Sequence, residues 1–243
     1  MPIEIADRLT PVTTQKFIET LYMAWVELLG EVPKLESLLV LAAKSALETG
    51  RWRYMHNYNI GNAKCVEGDG HDYSYFACNE ILPVSTAKVY AEKTPDTAKI
   101  TKIIPAKKAG GMDYAEIWFY PKHPGCKFRA YDVRDENGAV DEDASFLKAM
   151  IDYLRLLRTN YMSCWEFVLN GDPDGFVRAI KARGYFTAPL DSYLHSVISI
   201  FNEFSKLQID LSQLPVLSSR QKKAAMDAVL LSMQDSLLRS KIT

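Results

Sequence analysis

Hydrophobic residues recur at helical spacing through the first fifty positions. After Thr13 and Thr14, which are good helix N-caps, apolar residues return every three or four positions until Gly30 ends the run. These residues are Phe17, Ile18, Leu21, Trp25, Leu28 and Leu29. A second amphipathic run starts at Pro33, a favoured first helical residue, and ends at Gly50, which suits a C-terminal cap. The pattern predicts two helices.

The middle of the chain changes to a strand-like pattern. Residues 51–74 lack periodicity and are rich in Asn, Gly, Asp, His and Tyr, which predicts a loop. Beyond them, β-branched and aromatic runs separated by Pro and Gly predict strands. The predicted strands cover 84–91, 100–104, 115–120 and 127–133, and a turn is predicted at 135–138.

Helical periodicity returns after this turn. Helices are predicted at about 143–158, 161–170, 172–184, 189–207 and 218–240. Helices, then a small group of strands, then helices again is the order of an α+β fold with segregated elements. We therefore expect a mainly helical protein with a small central β-lobe at about 80–133.

Composition narrows the class of protein. The 243 residues are 48% hydrophobic and 24% charged, which is ordinary for a folded globular chain. The 29 basic and 30 acidic residues give a net charge of −1, so no nucleic-acid partner is predicted.

No signal sequence opens the chain and no apolar stretch approaches the ~20 residues of a membrane span, so synthesis in the cytoplasm is expected. The four Cys and four His residues lack metal-ligand spacing, and neither a metal nor a cofactor is predicted.

A carboxylate at the end of the second helix is the clearest candidate for chemistry. Glu48 lies on the last turn, where the negative end of the helix dipole disfavours its ionised form, and partial burial beside Trp52 acts in the same direction. A carboxyl group that keeps its proton near neutral pH is what the general acid of a glycosidase needs. The following loop, 57–64, carries Asn, Tyr and Gly groups suited to sugar hydroxyls and N-acetyl amides. The position of Glu48 alone also fits a solvated glutamate near a helix end.

Four segments resemble, in the right order, one family of enzymes. The segment ALETGRW at 46–52 resembles the Ala-x-Glu-Ser/Thr-Gly-x-Trp signature of lysozyme-like peptidoglycan hydrolases. The nearest match is to the flagellar and autolysin-type glucosaminidases, glycoside hydrolase family 73. Segments 57–64, 127–132 and 183–189 resemble that family's Asn-Leu-Phe-Gly-Ile-Lys loop, Phe-Arg-x-Tyr-Asp/Ser strand and Gly-Tyr-Ala-Thr-Asp-Pro-x-Tyr-Ala segment. The resemblance implies a lysozyme-like catalytic domain at 1–210, and residues 211–243 are expected to form a helix that packs on it or contacts a partner.

The resemblance also assigns roles to particular residues. It implies that Glu48 is the general acid, Glu116 the second catalytic carboxylate on the β-lobe, and Tyr185 a residue that lines the sugar site or positions a water. Three other carboxylates compete for the second role: Asp113, Glu80 and Glu92. The expected substrate-binding residues are Trp52, Asn57, Tyr58, Asn59, Lys64, Trp118 and Tyr193.

The expected function is hydrolysis of β-1,4 glycosidic bonds in the glycan strands of bacterial peptidoglycan. After Glu48 donates its proton, three routes stay open: Glu116 activates a water as in an inverting enzyme, the substrate's N-acetyl group attacks, or the muramyl 6-hydroxyl attacks as in a lytic transglycosylase. A non-catalytic glycan-binding module of the same fold and a chitinase-like enzyme are further alternatives. We expect a monomer that acts in the periplasm or cell wall as a phage lysin, or after delivery by a phage particle or a secretion machine.

Overall fold

The computed structural model describes residues 1–106, 111–186, 188–211 and 214. Its helices are α1 (Thr14–Leu29), α2 (Leu35–Glu48), α3 (Val84–Lys93), α4 (Glu142–Asn160), α5 (Trp165–Leu169), α6 (Pro173–Ala182) and α7 (Leu190–Phe204). Its strands are β1 (Tyr73–Tyr75), β2 (Cys78–Pro83), β3 (Ala98–Ile104), β4 (Tyr114–Phe119) and β5 (Lys127–Arg129). The predicted helix at 218–240, and Thr187 of the fourth matched segment, lie outside the described residues.

Most of the helices surround a shared hydrophobic core. In this core α1 packs against α4, and α2 packs against α7. The apolar faces predicted from the periodicity are buried, and Phe17 and Leu21 of α1 and Leu38 and Leu41 of α2 are fully enclosed. Burying such a face provides most of the stability of a helix in a protein of this kind.

Capping chemistry sets the ends of the first two helices. Thr13 caps α1, since its hydroxyl oxygen accepts a hydrogen bond from Lys16 N at 3.1 Å, and Gly30 ends the helix in the left-handed conformation. The second helix begins at Leu35, two residues later than predicted, because Lys34 is still extended and is its N-cap. Both predicted helices are confirmed, with the boundary difference that is usual for helix ends.

The β-lobe contains two small antiparallel sheets. Strand β4 lies at the centre of a three-stranded sheet between β2 and β3, and β1 pairs with β5. Alternate residues of a strand face opposite sides of the sheet. On β4, Ala115 and Ile117 join Ala87 of α3 in a second, smaller core, whereas Glu116 and Trp118 lie on the other face.

The strand predicted at 84–91 is wrong, because this segment is helix α3. The β-branched residues Val84 and Val89 favoured a strand locally, but Val84, Ala87 and Ala91 recur at helical spacing. Ala87 is buried against the three-stranded sheet, whereas Val89 is exposed. Tertiary packing of the small residue therefore outweighed the local strand propensity.

Other element boundaries also differ from the prediction. Strand β2 was not predicted, because its burial does not follow its polarity: Glu80 is half-buried, whereas Ile81 is exposed. The strand predicted at 127–133 ends at Arg129, and the helix predicted at 161–170 is reduced to a 3-10 turn at Met162–Cys164 followed by α5. The α+β class and the mainly helical layout with a small β-lobe are confirmed. Within the part of the chain described, no helix is both long and apolar enough to cross a membrane.

Candidate active site

Glu48 is the last residue of α2, and hydrogen bonds fix the chain around it. The N–H of Arg51 donates to the carbonyl of Ala46 at 2.7 Å, which closes the helix end with Gly50 in the left-handed conformation at φ 57°. Asn62 Nδ2 donates to the carbonyl oxygen of Glu48 at 2.9 Å. The half-buried carboxylate is therefore held on a rigid helix end.

Tyr193 of α7 orients the Glu48 carboxylate. Its hydroxyl group donates a hydrogen bond to Glu48 Oε1 at 2.5 Å, and its ring stacks on Phe186 with the centroids 3.7 Å apart. Burial, and then the negative charge of Glu48, raises the pKa of Tyr193 far above its usual value, so this phenol keeps its proton. Among the described residues no hydrogen bond reaches Glu48 Oε2, which leaves this oxygen for a substrate.

A buried lysine lies one helical turn before Glu48. Lys44 is fully enclosed, and its Nζ donates a hydrogen bond to Tyr185 Oη. The same Nζ lies 4.1 Å from the ring centroid of Tyr185 and 5.3 Å from that of Tyr153. Burial alone lowers the pKa of Lys44, but interactions with the two tyrosines and Glu48 outweigh burial and raise it above its ordinary value. The direction of this shift favours the charged ammonium form of Lys44.

We call Glu48, Lys44, Tyr153, Tyr185 and Tyr193 the Glu48 cluster. The structure brings together three residues of the predicted site: Glu48, Tyr185 and Tyr193. Sequence reasoning missed the other two. Lys44 did carry a signal, because it is the one charged residue in the run 38–47, where the other residues except Ser45 are apolar. Tyr153 carried none, since a tyrosine on an amphipathic helix is ordinarily a core residue.

Trp52 was expected to stack on a sugar, and its position corrects that prediction. The residue is 1% exposed and lies between the rings of Phe17 and Phe204, at centroid distances of 4.2 and 5.7 Å. Its Nε1 donates to Ser45 Oγ at 3.0 Å. Trp52 is a core residue that holds the end of α2 against its neighbours, and no face of its ring is open to a glycan.

The predicted binding residues of the 57–64 loop also serve the fold. Asn57 Nδ2 donates to the N-terminal segment at 2.9 Å, and Asn59 Nδ2 donates to two backbone carbonyls at 2.9 and 3.0 Å. Tyr58 donates its hydroxyl proton to Glu142 on α4. All three residues are buried, so their polar groups are already satisfied within the protein. They shape the loop that brings Asn62 to the end of α2.

Lys64 makes its described contacts within the β-lobe. Its Nζ donates to the carbonyl of Gly125 at 2.5 Å and lies 3.9 Å from the ring centroid of Phe128. It also forms an ion pair with Glu80 Oε1 at 3.6 Å. Lys64 thus joins the loop to β2 and β5, and the structure does not bring it into contact with the Glu48 cluster.

Glu116 and Trp118 form a separate polar site on the outer face of the three-stranded sheet. Glu116 Oε1 accepts hydrogen bonds from Trp118 Nε1 at 3.0 Å and from Asn79 Nδ2 at 3.4 Å. Across the described residues, no hydrogen bond or ion pair connects Glu116 to the Glu48 cluster. The assignment of Glu116 as the second catalytic carboxylate stays a prediction.

The three competing carboxylates occupy different surroundings. Glu80 is paired with Lys64, as described above. Asp113 Oδ1 accepts a hydrogen bond from Ala106 N at 2.8 Å, and Glu92 is exposed on α3. None of the contacts described for Glu80, Asp113 and Glu92 connects these residues to Glu48.

The segment 127–132 connects the β-lobe to the helical core. Arg129 Nη1 pairs with Asp152 Oδ2 of α4 at 2.9 Å, and Arg129 Nε pairs with Asp69 Oδ2 at 3.3 Å. Tyr131 donates its hydroxyl proton to the same oxygen of Asp152. The Arg-x-Tyr pattern in this segment therefore has a structural role, and Asp152 is the partner that the motif alone did not reveal.

Comparisons with known proteins give structural matches only. No family model and no curated protein matches the chain. The structure is similar to a C-terminally truncated glycoside hydrolase domain of FlgJ from Salmonella typhimurium, with a TM-score of 0.41, 16% identity, and coverage of 80% of this chain and 99% of that chain. It is similar to a peptidoglycan hydrolase mutant from Sphingomonas sp. A1, with a TM-score of 0.40, 19% identity, and coverage of 77% and 92%.

A third similar structure is the catalytic domain of the autolysin Auto from Listeria monocytogenes. Its TM-score is 0.36 at 15% identity, with coverage of 83% of this chain and 89% of that chain. All three scores describe a partial likeness in the arrangement of elements. The chemistry of this chain follows from its own site, in which, among the described residues, no group of three or more His, Cys, Asp or Glu side chains is placed to hold a metal ion.

Proposed function

We propose that this protein cleaves β-1,4 glycosidic bonds in the glycan strands of bacterial peptidoglycan, with Glu48 as the general acid. The observation that carries the proposal is the half-buried Glu48 carboxylate, whose Oε1 is bound by Tyr193 and whose Oε2 is left for a substrate. General acid catalysis needs such a positioned proton donor. The four segments that resemble peptidoglycan hydrolases supply the substrate class.

In the proposed reaction, Glu48 Oε2 gives its proton to the glycosidic oxygen as the bond between that oxygen and the anomeric carbon breaks. The electron pair of the bond leaves with the oxygen, and positive charge develops on the sugar ring. Proton donation leaves a negative charge on Glu48. The Tyr193 hydroxyl and the Lys44 ammonium group both interact with this charge, and they are in place before the reaction starts.

The second step has two candidate protein groups. Tyr185 has its hydroxyl group in the Glu48 cluster, where it can direct an attacking water or the N-acetyl group of the substrate. Glu116 is the candidate base of a two-carboxylate mechanism, in which it takes a proton from the attacking water at the wide spacing of an inverting enzyme. This second role depends on the β-lobe forming one wall of the cleft.

A lytic transglycosylase is the second candidate function. It needs no second carboxylate, and among the described residues of the Glu48 cluster Glu48 is the one carboxylate; attack by the substrate's N-acetyl group shares this feature. In this route the oxygen of the muramyl 6-hydroxyl attacks the anomeric carbon and closes an anhydro ring, and its proton passes to the Glu48 carboxylate, which regains its starting form. No water is consumed. The first step, proton donation by Glu48, is the same in both functions.

The proposed place of action follows from the substrate. Peptidoglycan lies in the periplasm or the cell wall, and the protein would act there after release, injection or delivery by a phage or a secretion machine. We further propose that the protein acts as a monomer.

Digestion of purified peptidoglycan, followed by mass spectrometry of the products, tests the proposal. Glu48→Gln keeps the shape of the side chain but cannot donate the proton, so we expect cleavage to slow by about 10²–10⁴-fold while circular dichroism shows an intact fold. Glu136→Gln removes the same charge from an exposed turn and is the control that should cleave at the wild-type rate.

The products separate the remaining functions. Reducing ends indicate hydrolysis, and anhydro ends indicate a lytic transglycosylase. A Glu48→Gln variant that cleaves walls as fast as the wild type would refute the role of Glu48. Wild-type protein that binds walls and leaves them intact would instead indicate a glycan-binding module.

A further inference from the structure

Lys44 places a positive charge in the buried floor of the Glu48 cluster. Lysine is almost never fully buried, because an ammonium group loses its hydration there. Lys44 is nevertheless 0% exposed, enclosed by the ring of Tyr153 from α4 and by Tyr185. An apolar side chain of similar length would fill this space without the cost of desolvation, so the charge calls for a functional explanation.

We propose that Lys44 is a positioning residue that aims the hydroxyl proton of Tyr185 at the substrate; this inference rests on the proposed function. An ammonium group only donates hydrogen bonds, so Tyr185 Oη must be the acceptor in their hydrogen bond. The hydroxyl hydrogen of Tyr185 is therefore turned away from Lys44. Among the described residues it meets no acceptor, which leaves it for the N-acetyl oxygen of a bound glycan or for an attacking water.

The surroundings of Lys44 leave little freedom for another arrangement. A Cβ atom added at Gly61 would lie 3.6 Å from Lys44 Nζ and 3.3 Å from Tyr153 Cε2, so the loop closes tightly over the lysine. On the other side, the buried Oη of Tyr153 has no hydrogen-bond partner among the described residues. The ammonium group therefore contacts the face of the Tyr153 ring and directs its hydrogen bond to Tyr185.

The charged and titratable groups around Lys44 agree with this role. Tyr153 and Tyr185 approach Lys44 from other parts of the chain, and the carboxyl group of Glu48 lies one turn further along the same helix. Together these interactions raise the pKa of Lys44 despite its burial. A neutral lysine could accept the Tyr185 proton, and the direction of the hydrogen bond would then no longer be fixed.

Substitution of Lys44 gives the first test. Lys44→Met keeps the unbranched chain and removes the donor, so we expect kcat on soluble peptidoglycan fragments to fall about tenfold or more with little change in KM. Lys44→Gln retains an N–H donor that can reach Tyr185, and it should keep more activity than Lys44→Met. Lys148→Met, an exposed position on α4, is the matched control and should behave like the wild type.

A double-mutant cycle separates positioning from general damage to the fold. If Lys44 acts through Tyr185, Lys44→Met should lower kcat no further in a protein that already carries Tyr185→Phe. Losses that simply multiply in the double variant would overturn the inference, because they would mean that the two residues act independently. If the kcat of Lys44→Gln is no higher than that of Lys44→Met, this result would also contradict the inference.

A measurement that needs no activity distinguishes this inference from the proposed function. In protein labelled with 15N-lysine, a buried ammonium group protected from solvent should give an Nζ signal that disappears in Lys44→Met and shifts in Tyr185→Phe. No such signal, or a signal indifferent to Tyr185→Phe, overturns the inference even in an active enzyme. If the signal behaves as expected but the wild type cleaves no peptidoglycan, the proposed function fails, and the catalytic role of Lys44 fails with it.

Discussion

The hydrogen bond between Tyr193 and Glu48 distinguishes the two carboxylate oxygens of the proposed general acid. Tyr193 keeps its proton because burial raises its pKa, so it donates to Oε1 and leaves Oε2 for the substrate. Tyr193→Phe removes this donor and lets the carboxylate rotate. We expect kcat to fall about tenfold or more and KM to change little, since a hydrogen bond to a charged group is worth about 1.5–3 kcal/mol.

The control for this variant is Tyr120→Phe, which removes a hydroxyl group from an exposed tyrosine. Steady-state kinetics on the same soluble fragments should give wild-type values for the control. Equal kcat values for Tyr193→Phe and the wild type would mean that another contact orients Glu48 when the glycan is bound.

At the residue scale, the sequence predicted three residues that lie together, but it did not predict their other neighbours. Glu48, Tyr185 and Tyr193 were found through their motifs, and they meet in one cluster. Asn57 and Asn59 were expected to bind sugar, but the amide groups that suit sugar hydroxyls also suit backbone carbonyls. Only the fold shows which partner is present, and here it is the backbone.

Among the elements, the C-terminal end of α2 controls the placement of Glu48. Gly50 has a φ of 57°, a region that costs a residue with a Cβ about 1–2 kcal/mol. A Cβ there would also lie 2.6 Å from Tyr54 Cδ2. We expect Gly50→Ala to lower the melting temperature by a few degrees and to reduce kcat, because the distorted helix end carries Glu48, the proposed general acid.

Gly138 provides the comparison for this prediction. It also has a positive φ, of 79°, but it lies in the turn before α4, and a Cβ there meets nothing within 4 Å. Gly138→Ala should therefore lose stability, seen by thermal unfolding, and keep its kcat. Equal kcat values in the two variants would show that the end of α2 tolerates distortion without moving Glu48.

A 3-10 turn in the β-lobe, at Pro124–Cys126, should make stability depend on pH through His123, its N-cap. His123 Nδ1 accepts a hydrogen bond from Gly125 N at 2.9 Å, and its ring stacks on Phe119. Burial, and then the positive charge of Lys64, lowers the pKa of His123. The folded state therefore favours neutral His123. Its contribution to the free energy of unfolding is fully present above the ordinary histidine pKa of about 6.5, and it is lost as the pH falls below that value.

His123→Asn tests this pH dependence, because asparagine can still accept from Gly125 N but does not titrate. The free energy of unfolding, measured with urea above and below pH ~6.5, should fall on acidification more steeply in the wild type than in the variant. Parallel pH profiles for the two proteins would assign the acid sensitivity to other groups.

Long helices were predictable from the sequence, whereas the short elements of the β-lobe were only partly so. Helix α4 has apolar residues at helical spacing, a capping Asp141 and acidic residues in its first turn, and all these signals agree. In α3, by contrast, Val84 and Val89 favour a strand, and burial of Ala87 against the sheet decides the outcome. Short segments contain too few positions for periodicity to outweigh such contacts.

In the whole molecule, a large helical core and a small β-lobe core are joined by charged side chains. Arg129 of β5 pairs with Asp152 of α4 and with Asp69 of the preceding loop. His71 also approaches Asp152, with Nε2 at 3.5 Å from Oδ1. These ion pairs attach the β-lobe to the helical part of the protein. Whether a carboxylate of the β-lobe acts together with Glu48 is a separate question.

Glu116→Gln tests whether the two parts of the molecule share the chemistry. The amide can still accept from Trp118 Nε1, so the sheet should keep its structure. If Glu116 is the base that activates water, kcat should fall about 10²-fold or more with wall binding almost unchanged, because its role is confined to the transition state. If the N-acetyl group or the 6-hydroxyl of the substrate completes the reaction, the loss should be mild.

Glu80→Gln and Glu92→Gln are the matched variants on the same lobe. Glu80 is paired with Lys64 and Glu92 is exposed, so neither change should slow cleavage if Glu116 is the base. Loss of activity at Glu80 or Glu92, with none at Glu116, would mean that the second carboxylate was assigned to the wrong strand or helix. Measured together, the three variants decide between a two-carboxylate mechanism that spans both parts of the protein and a one-carboxylate mechanism confined to the Glu48 cluster.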